Sequence, residues 1–401
     1  MSRKADIVVY GASGYTGQII MERLAALNLS FVAAGRDRRR LEAAVAKLPA
    51  SARALARVVD ARHTLEDLTA LFRSAKVVIN VSGPFGQLGK PVLEAALAAR
   101  CHYLDTTGET DWILEIRDQY GAEFEKVGRI ACPALAYMWT AGQLACELAL
   151  EQGDIDTLDV VYSPGSAPTV ASTLSFLRMV TRTQYRLTNR AFEAWPIGAN
   201  IAVSLPHTHE VVRGLPWGGG AEPIWYEQDR RVRNCRVVVA FQAGPMVDWI
   251  LDCTRKYQEV ASTKSQAELE ELTNTWGRAI ANTPPRENLE VNRSVISCRA
   301  RGAFAGHSIT LYGSAPYEQT GVLIAEGARQ LLTGSVSAMG FVSPANAFGT
   351  KALLSALAKA GLQQDIPPTA MGVSARVETR HRARTSGKAK TRAGSSATTR
   401  E

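Results

Sequence analysis

Three glycines spaced three residues apart could hold a phosphate group near the start of the chain. Gly11, Gly14 and Gly17 follow a short apolar run and open a helical pattern. Gly11 permits a sharp turn, Gly14 has no Cβ to block a pyrophosphate, and Gly17 lets the helix lie close to the strand. The spacing predicts a dinucleotide site, and a glycine-rich turn that binds nothing is the alternative. The predicted cofactor-binding residues of this loop are Gly11, Ser13, Gly14, Tyr15, Thr16 and Gly17.

The end of the second apolar run indicates which dinucleotide binds. An NAD site usually has an acidic residue about 20 residues after the glycines, where it holds the ribose 2′-hydroxyl. Here the run ends in Gly35-Arg36, and Asp37 comes one position late for that role. A guanidinium at Arg36 suits a 2′-phosphate, so the sequence favours NADP(H) over NAD(H). We interpret the arginines at 38–40 as the exposed start of a helix.

Two further strand ends carry candidate cofactor contacts. Asp60 ends the third predicted strand, where the adenine ring is often contacted, and a solvated aspartate is the alternative interpretation. Ser82-Gly83-Pro84 follows the fourth strand, at the edge where an open α/β sheet binds its ligands. This turn would let the backbone pass close to a nicotinamide ring, although it could also be a plain turn.

The candidate catalytic residues are Asp105, Glu109 and Tyr137. The two carboxylates follow the fifth predicted strand and could orient a substrate or relay a proton, with helix capping as the alternative role. Tyr137 lies just past the sixth strand, where it could donate a proton, hold a carbonyl group or form a pocket wall. His207 and His209 have no acidic or cysteine partner at a ligand spacing, so no metal site is predicted.

The elements that position these residues alternate between strand and helix. Strands are predicted at 6–10, 31–34, a run ending at 60, 77–81, 102–104 and 129–132, with helices at 16–27, 38–48, 65–73, 90–99 and 110–127. This alternation builds a parallel sheet with right-handed crossovers. After about residue 153 strands predominate, including a hairpin over 296–312, and helices are predicted at 317–332 and 350–360. The predicted class is α/β, an N-terminal Rossmann-type parallel sheet with an α+β second domain.

The predicted domains are an NADP-binding Rossmann domain (1–135), an α+β substrate and dimerisation domain (136–315), C-terminal helices returning to the Rossmann domain (316–362) and a disordered basic tail (363–401). The 401 residues are 46% apolar and 21% charged, which excludes collagen-like, coiled-coil and wholly disordered proteins. Residues 376–401 hold a net +6 of the formal charge of +8. Solvation of this tail is the simplest interpretation, and weak contact with nucleic acid or anionic lipid is the alternative.

Six scattered cysteines, without a CxxC pair or a leader segment, predict reduced thiols in a cytoplasmic protein. Two long uncharged stretches, at 130–146 and 330–350, are interrupted by Pro, Gly and polar residues. Neither provides the roughly 20 predominantly apolar residues that a membrane-spanning helix needs. No transmembrane segment is therefore predicted.

Four sequence segments together resemble a known family, over about residues 5–361. They are the glycine loop ending in Tyr15-Thr16-Gly17, the Gly35-Arg36 pair, the Ser82-Gly83-Pro84-Phe85 turn, and the run from His102 to Glu109. These segments are similar to the saccharopine dehydrogenase-like reductases, and more narrowly to the trans-acting enoyl reductases. The resemblance implies a Rossmann domain that binds NADP(H) and delivers hydride to an imine or a conjugated double bond. The run 133–139 departs from the Gly-Phe-Asp-Ser type common in relatives.

The leading functional hypothesis is an NADPH-dependent oxidoreductase that transfers hydride to a conjugated enoyl double bond of an acyl or polyketide-type substrate. Trp195, Trp217, Trp225 and Trp249 could line an apolar substrate cavity, with core packing as the alternative. Saccharopine-type reduction of an amino-acid imine and a non-catalytic NADP(H)-binding module remain open. The predicted partner is a small-molecule or acyl substrate. A homodimer is left open, and no specific nucleic-acid partner is predicted.

Overall fold

Two β-sheets, each flanked by helices, form the described part of the chain. The computed structural model describes residues 5–206, 211–241, 245–280 and 282–363. The strands are β1 (Ile7–Tyr10), β2 (Phe31–Gly35), β3 (Ala56–Asp60), β4 (Val77–Asn80), β5 (His102–Asp105), β6 (Ile130–Cys132), β7 (Thr157–Pro164), β8 (Tyr185–Thr188), β9 (Ala191–Ala194), β10 (Ile201–Ser204), β11 (Val211–Leu215), β12 (Asn234–Phe241), β13 (Arg293–Arg301), β14 (Gly306–Ser314) and β15 (Gly340–Phe341).

The helices connect these strands and cover both sheets. They are α1 (Tyr15–Ala26), α2 (Arg38–Ala46), α3 (Ala50–Arg53), α4 (Leu65–Phe72), α5 (Phe85–Ala98), α6 (Thr110–Glu115), α7 (Gly121–Lys126), α8 (Gly142–Leu150), α9 (Val170–Val180), α10 (Glu222–Tyr226), α11 (Pro245–Val260), α12 (Gln266–Ile280), α13 (Pro316–Thr333), α14 (Pro344–Phe348) and α15 (Thr350–Lys359). A π-helical segment, Ile116–Tyr120, joins α6 to α7, and a kinked helical turn, Tyr137–Ala141, precedes α8.

The first sheet is parallel and has seven strands in the order β15-β6-β5-β4-β1-β2-β3. Strands β1, β2 and β4 are buried along their whole length, because helices cover both faces and the strands are continuous apolar runs. The strand order reverses between β1 and β4, which pair in parallel. In a doubly wound sheet, ligands bind in the crevice beside this reversal. The glycine loop and the Ser82-Gly83-Pro84 turn both leave the sheet there.

The second sheet is mixed and has eight strands, six of which follow the order β10-β11-β12-β7-β13-β14. Its two central strands, β7 and β12, are parallel, and the predicted hairpin is the antiparallel pair β13–β14, which pairs Arg293 with Ser314 and Arg301 with Gly306. Helix α8 packs on β13 and β14. On the side nearer the first sheet, α9 packs against α12, and these two helices adjoin the crevice of the first sheet.

The last part of the described chain returns to the first sheet. Helix α13 packs against α1, where a Cβ at Gly321 would lie 2.5 Å from Ile19 Cγ2. The segment then adds β15 beside β6 and ends at Gln363, which forms a β-bridge with Gly313. The β15 strand is absent from the sequence-based prediction because a two-residue strand leaves no readable period.

The predicted fold class is confirmed, and several element limits differ from prediction. Helix α5 begins at Phe85 rather than at 90, because a buried carboxylate from another loop accepts its first amides. Helices α9, α11 and α12 and strands β8 and β9 are not predicted. Gln363 is buried and bonded rather than part of a free tail, and residues 364–401 lie outside the described residues.

Candidate active site

The glycine loop forms a tight turn against the end of β4. Gly11 has a φ of +93°, and the amides of Gly11 and Ala12 both donate to Ala34 O, at 2.9 and 3.1 Å. A Cβ on Gly11 would lie 2.7 Å from Ser82 Oγ, and one on Gly17 would lie 2.5 Å from Gly11 O. Helix α1 therefore lies against the strand as closely as backbone atoms allow.

The start of α1 leaves room for an anion. Gly14 is the N-cap residue, in an extended conformation, and no side chain of the described chain caps the helix. Its first amides therefore point toward the crevice, with the positive end of the helix dipole. Thr16 lines the crevice, and Ser13 O accepts a hydrogen bond from the side-chain Nε2 of Gln18 at 3.1 Å. A glycine cradle of this kind fits the pyrophosphate of a dinucleotide.

Tyr15 turns away from the phosphate position, toward the second sheet. Its hydroxyl donates to Pro285 O at 3.0 Å and accepts from the Glu287 amide at 3.2 Å. Its ring meets Tyr317 edge-on, with centroids 5.1 Å apart. Burial is the main reason that the pKa of Tyr15 rises to about 12. Tyr15 therefore joins the glycine loop to residues 285–287 instead of offering its side chain to the crevice.

The charged residues after β2 include groups with and without a partner among the described residues. Arg36 is exposed and forms no ion pair within the described part of the chain. Asp37 caps α2 by accepting the Arg40 amide at 3.1 Å. Asp60, a predicted adenine contact, is half exposed and paired with Arg38 at 3.1 Å. Arg36, the first of these residues after the strand, thus has its guanidinium available for a 2′-phosphate.

Beyond β4, the Ser82-Gly83-Pro84 turn delivers the chain into α5. The Ser82 amide donates to Asn80 Oδ1 at 3.0 Å, and Pro84 is the N-cap residue of α5. Gly83 lines the crevice, and a Cβ there would meet the Phe85 ring at 3.2 Å. The turn therefore brings backbone, without a side chain, to the position where a nicotinamide would lie.

Glu109 is fully buried and supports this turn from behind. Its Oε1 accepts hydrogen bonds from the Phe85 backbone amide and from Ser175 Oγ, both at 2.6 Å. Its Oε2 accepts the Gly86 amide at 2.9 Å and Arg178 Nη1 at 2.7 Å. Burial raises the pKa of Glu109, and the charge of Arg178 opposes that rise. The carboxylate caps α5, which is a different helix from the one that the sequence places next to it.

Arg178, on α9, links the two sheets through buried ion pairs. Its side chain is 2% exposed, and it holds Asp111 through two bonds of 3.0 and 2.6 Å. A Cβ on Gly86 would lie 2.3 Å from Arg178 Nη2, so the guanidinium occupies the space that this glycine leaves. Glu270 lies 3.6 Å from Arg178 Nε as a third carboxylate partner. Breaking such a buried cluster is costly, because removing one partner leaves an uncompensated charge.

Asp105 is also fully buried, and all of its acceptor positions are used. Its Oδ2 accepts the Tyr103 hydroxyl at 2.9 Å and Trp112 Nε1 at 3.1 Å. Its Oδ1 accepts the amides of Thr107 at 3.0 Å and Ala134 at 2.9 Å. Burial raises the pKa of Asp105 to about 6. Asp105 thus ties together the loops after β5 and β6, below the crevice rather than in its lining.

Tyr137 lines the crevice with its ring, while its hydroxyl is buried. The ring meets Tyr162 edge-on at 5.7 Å, and the Tyr137 amide donates to Thr320 Oγ1 at 3.0 Å. The hydroxyl oxygen has no hydrogen-bond partner among the described residues, and burial raises its pKa. This arrangement makes Tyr137 a wall of the crevice.

Behind Tyr137 lies a buried acid that the sequence did not indicate. The Tyr162 hydroxyl accepts the Gly142 amide at 2.7 Å and lies 2.7 Å from both Trp139 O and Glu222 Oε1. One hydroxyl proton can serve only one of these two acceptors. Both contacts are satisfied when Glu222 is protonated and donates to Tyr162, which donates to Trp139 O. Burial raises the pKa of Glu222 to about 8, in agreement with this arrangement.

These groups surround a cavity of about 530 Å³, which we call the inner cavity. It extends from Thr16 and Gly83 at the first sheet to α9 and α11 at the second. Most of its wall is apolar. The aromatic members of the lining are Phe85, Tyr137, Trp139, Phe176, Trp217, Trp249 and Tyr317. Among the described residues that line it, Glu109 is the one charged group, and it is paired.

The inner cavity brings together residues that the sequence could not connect. On α9, Ser172, Ser175, Phe176 and Met179 share one face and line the cavity. Tyr317 donates its hydroxyl to Ser172 Oγ at 2.9 Å and accepts the Thr169 amide at 2.9 Å. The helical spacing of the α9 residues was a readable signal, whereas the approach of Tyr317 depends on the tertiary fold. Of the four tryptophans proposed as lining, 217 and 249 line this cavity.

Two family models match this chain. Residues 140–371, more than half of the sequence, match a family of unknown function, DUF5938. The chain belongs to the DUF5938 family. Residues 7–124 of this DUF5938 protein match the saccharopine dehydrogenase NADP-binding domain. Strands β1 to β5 and the glycine loop thus belong to an NADP-binding domain, and the predicted NADP(H) cofactor is confirmed.

Curated relatives resemble part of the DUF5938 protein. A lipid droplet localized protein of Caenorhabditis elegans is 32% identical over 132 residues. A trans-acting enoyl reductase of Mycobacterium bovis is 33% identical over 129 residues. Each alignment covers 31% of both chains, so the match spans about a third of the length of these relatives.

The overall fold resembles the apo saccharopine dehydrogenase of Saccharomyces cerevisiae. The TM-score is 0.57 at 12% identity, covering 89% of this chain and 98% of the yeast chain. The predicted likeness to saccharopine dehydrogenase-like oxidoreductases is confirmed. Within the described residues of the DUF5938 protein, no helix is long and apolar enough to cross a bilayer. The cytoplasmic location, the domain limits and the homodimer stay predictions, and His207 and His209 lie outside the described residues.

Proposed function

We propose that this protein is an NADPH-dependent oxidoreductase that transfers a hydride to the conjugated double bond of an apolar enoyl substrate. The observation that carries this proposal is the inner cavity. It joins the glycine loop of an NADP-binding domain to a largely apolar wall built by the second sheet and its helices. An apolar pocket with a few polar groups is the usual form of a small-molecule site.

The residues present fit the cofactor. The open first turn of α1 would hold the pyrophosphate, and Arg36 would hold the 2′-phosphate. The Gly83-Pro84 turn would lie beside the nicotinamide. Bound NADPH would supply the hydride to one carbon of the double bond, and a proton from solvent would complete the reduction at the other. The chain would supply orientation and a largely apolar surface around the acceptor.

The three candidate catalytic residues act by positioning in this proposal. Glu109 holds the Ser175 hydroxyl and the start of α5, while Asp105 fixes the loops below the cavity. Tyr137 forms part of the wall. Because all four oxygens of the two carboxylates already accept hydrogen bonds, neither group is proposed as the proton donor. The hydroxyl pair of Tyr317 and Ser172 faces the inner cavity and would orient the acyl carbonyl.

The lining favours an apolar acyl group over an amino-acid imine. An imine of the saccharopine type carries carboxylates, which are normally bound by arginine or lysine. Among the described residues that line the inner cavity, none is an arginine or a lysine. Arg178 is close by, but it is buried and paired with Glu109 and Asp111.

Nicotinamide absorbance tests the proposal directly. The full-length protein is mixed with NADPH and either a 2-enoyl thioester or a mixture of an amino acid and an oxo acid. The proposal expects oxidation of NADPH with the thioester alone. Oxidation with the second mixture would favour the saccharopine-type reaction. Binding of NADPH without oxidation by either would favour a non-catalytic NADP(H)-binding module.

A further inference from the structure

A second cavity of about 320 Å³ adjoins the inner cavity, and we call it the outer cavity. Three side chains line both cavities: Phe176 on α9, Trp217 after β11, and Ile250 on α11. The outer cavity is lined on its other sides by residues 180–184, by residues 194–199, and by α11. Neither Thr16 nor the β4 and β5 loops line it, so it lies farther from the cofactor than the inner cavity does.

Aromatic side chains form the boundary between the two cavities. The rings of Phe176 and Trp217 meet edge-on with centroids 4.2 Å apart and planes inclined by 60°. Phe176 is 7% exposed, so it is packed between the cavities rather than on the surface. An aromatic pair of this geometry stabilises its contact by about 0.5–1.5 kcal/mol beyond burial. Rotation of these two side chains would join the cavities, because both rings line both spaces.

The outer cavity has a mixed lining of apolar and polar side chains and an exposed rim. Trp195, which is 8% exposed, lines its interior together with Leu215. At the rim, Ile197 is 53% exposed although it lines the same space. Arg182 is the one charged residue in the described lining, and it is paired with Glu270 and Asp111. The outer cavity therefore offers an occupant the apolar surface of these side chains, the polar groups of Thr181, Gln184 and Thr254, and no unpaired charge.

We propose that the outer cavity receives the distal part of the acyl chain whose reactive end lies in the inner cavity. The Phe176–Trp217 pair then sets the chain length at which a substrate begins to enter the outer cavity. This inference rests on the proposed function, because it takes the occupant to be a single aliphatic chain. Burial of each further methylene group stabilises the complex by about 0.8 kcal/mol, which is about fourfold in affinity.

Saturated acyl thioesters of N-acetylcysteamine, from butyryl to palmitoyl, are suitable probes because they cannot be reduced. Their affinities are measured by calorimetry on the full-length protein in the presence of NADP⁺. In the wild type, affinity is expected to rise about fourfold per methylene until both cavities are filled. Ala199→Trp places an indole in the outer cavity. In this variant the rise should stop at a shorter chain, with butyryl binding unchanged within about twofold.

Two further variants complete the test. Ala202→Trp adds the same side chain at an exposed position on β10 that lines neither cavity, and it should behave as the wild type does. Thr183→Trp fills the outer cavity from its exposed rim, and it replaces Ala199→Trp if that variant does not fold. The inference is overturned if affinity stops rising at the same chain length in the wild type and in the filled variants.

Failure of the proposed function gives a different result. In one outcome, affinity rises with acyl-chain length in the wild type but not in the filled variants, and the matching enoyl thioesters do not oxidise NADPH. This outcome would reject the proposed reaction and support binding of the acyl chain in the outer cavity. In the other outcome, enoyl thioesters oxidise NADPH, but affinity depends on acyl-chain length in the same way in the wild type and in all variants. This outcome would support the reaction and reject the outer cavity as part of the site.

Discussion

Glu222→Gln is expected to remove part of the pH dependence of stability. Glu222 is buried with its Oε1 2.7 Å from the Tyr162 hydroxyl, and we infer that it holds a proton, because the hydroxyl also lies 2.7 Å from Trp139 O. Its pKa is about 8 in the fold, against 4.5 for an unperturbed glutamate. Since the folded pKa is the higher one, the contribution is fully present below pH 4.5 and is lost as the pH rises through 8.

The magnitude follows from the two pKa values. Between them the native state binds one more proton than the unfolded state, so stability falls by about 1.4 kcal/mol per pH unit. Between about pH 6.5 and about pH 8 the loss from this group is about 1.6 kcal/mol, allowing for partial titration near the upper limit. Asp105, with a pKa of about 6, and His102, with a pKa of about 4, titrate mainly below this window.

Urea denaturation at the two pH values measures the effect. Glutamine keeps an N–H that can donate to Tyr162 but does not titrate, so Glu222→Gln should lose about 1.6 kcal/mol less stability than the wild type across the window. Glu151→Gln, at an exposed position, is the matched control and should follow the wild type. Equal losses in the wild type and in Glu222→Gln would refute the protonated state and the hydrogen-bond order built on it.

Three other changes test the cofactor cradle and the link between the sheets. Arg36→Ala should weaken NADPH binding by about ten- to a hundredfold in a fluorescence titration and leave NADH binding unchanged, because a charged hydrogen bond contributes about 1.5–3 kcal/mol. Gly17→Ala should abolish NADPH binding, since its Cβ would lie 2.5 Å from a backbone oxygen, whereas Gly306→Ala meets nothing closer than 3.8 Å and should bind normally. Arg178→Leu should lower the free energy of unfolding by about 3–5 kcal/mol, against at most about 1 kcal/mol for Arg255→Ala at an exposed ion pair. Equal NADPH binding in Gly17→Ala and Gly306→Ala would contradict the close packing inferred at Gly17. Equal urea midpoints in Arg178→Leu and Arg255→Ala would contradict the stabilising role of the buried ion pairs.

The cofactor half of the site could be predicted because its signals are local. A buried strand, a glycine turn and a helix occupy consecutive residues, and the chemistry of NADP(H) binding requires them in that order. The role of the Gly35-Arg36 pair could also be predicted from local sequence, because the pair ends the adjacent strand. Asp60 was harder to interpret, since its partner Arg38 lies 22 residues away in the sequence, on a different element.

The roles of the acidic residues could not be predicted in the same way. Glu109 caps α5, whose first amides lie 23–24 residues earlier in the chain, and Arg178 lies 69 residues later. Glu222 meets a tyrosine 60 residues away. No spacing rule connects such positions, because their proximity is produced by the packing of whole helices and sheets.

The amino-acid order alone determined the alternation of buried strands and helices from β1 to β6 and the anion-binding turn, because each element depends on periodicity and steric limits within a few neighbouring residues. Only the tertiary structure decided what faces the cofactor. The apolar inner cavity forms where α9, α11 and α13 meet the crevice of the first sheet, and its shape depends on side chains drawn from the whole described chain. Close packing of distant segments, rather than any local preference, therefore determines which substrate could enter.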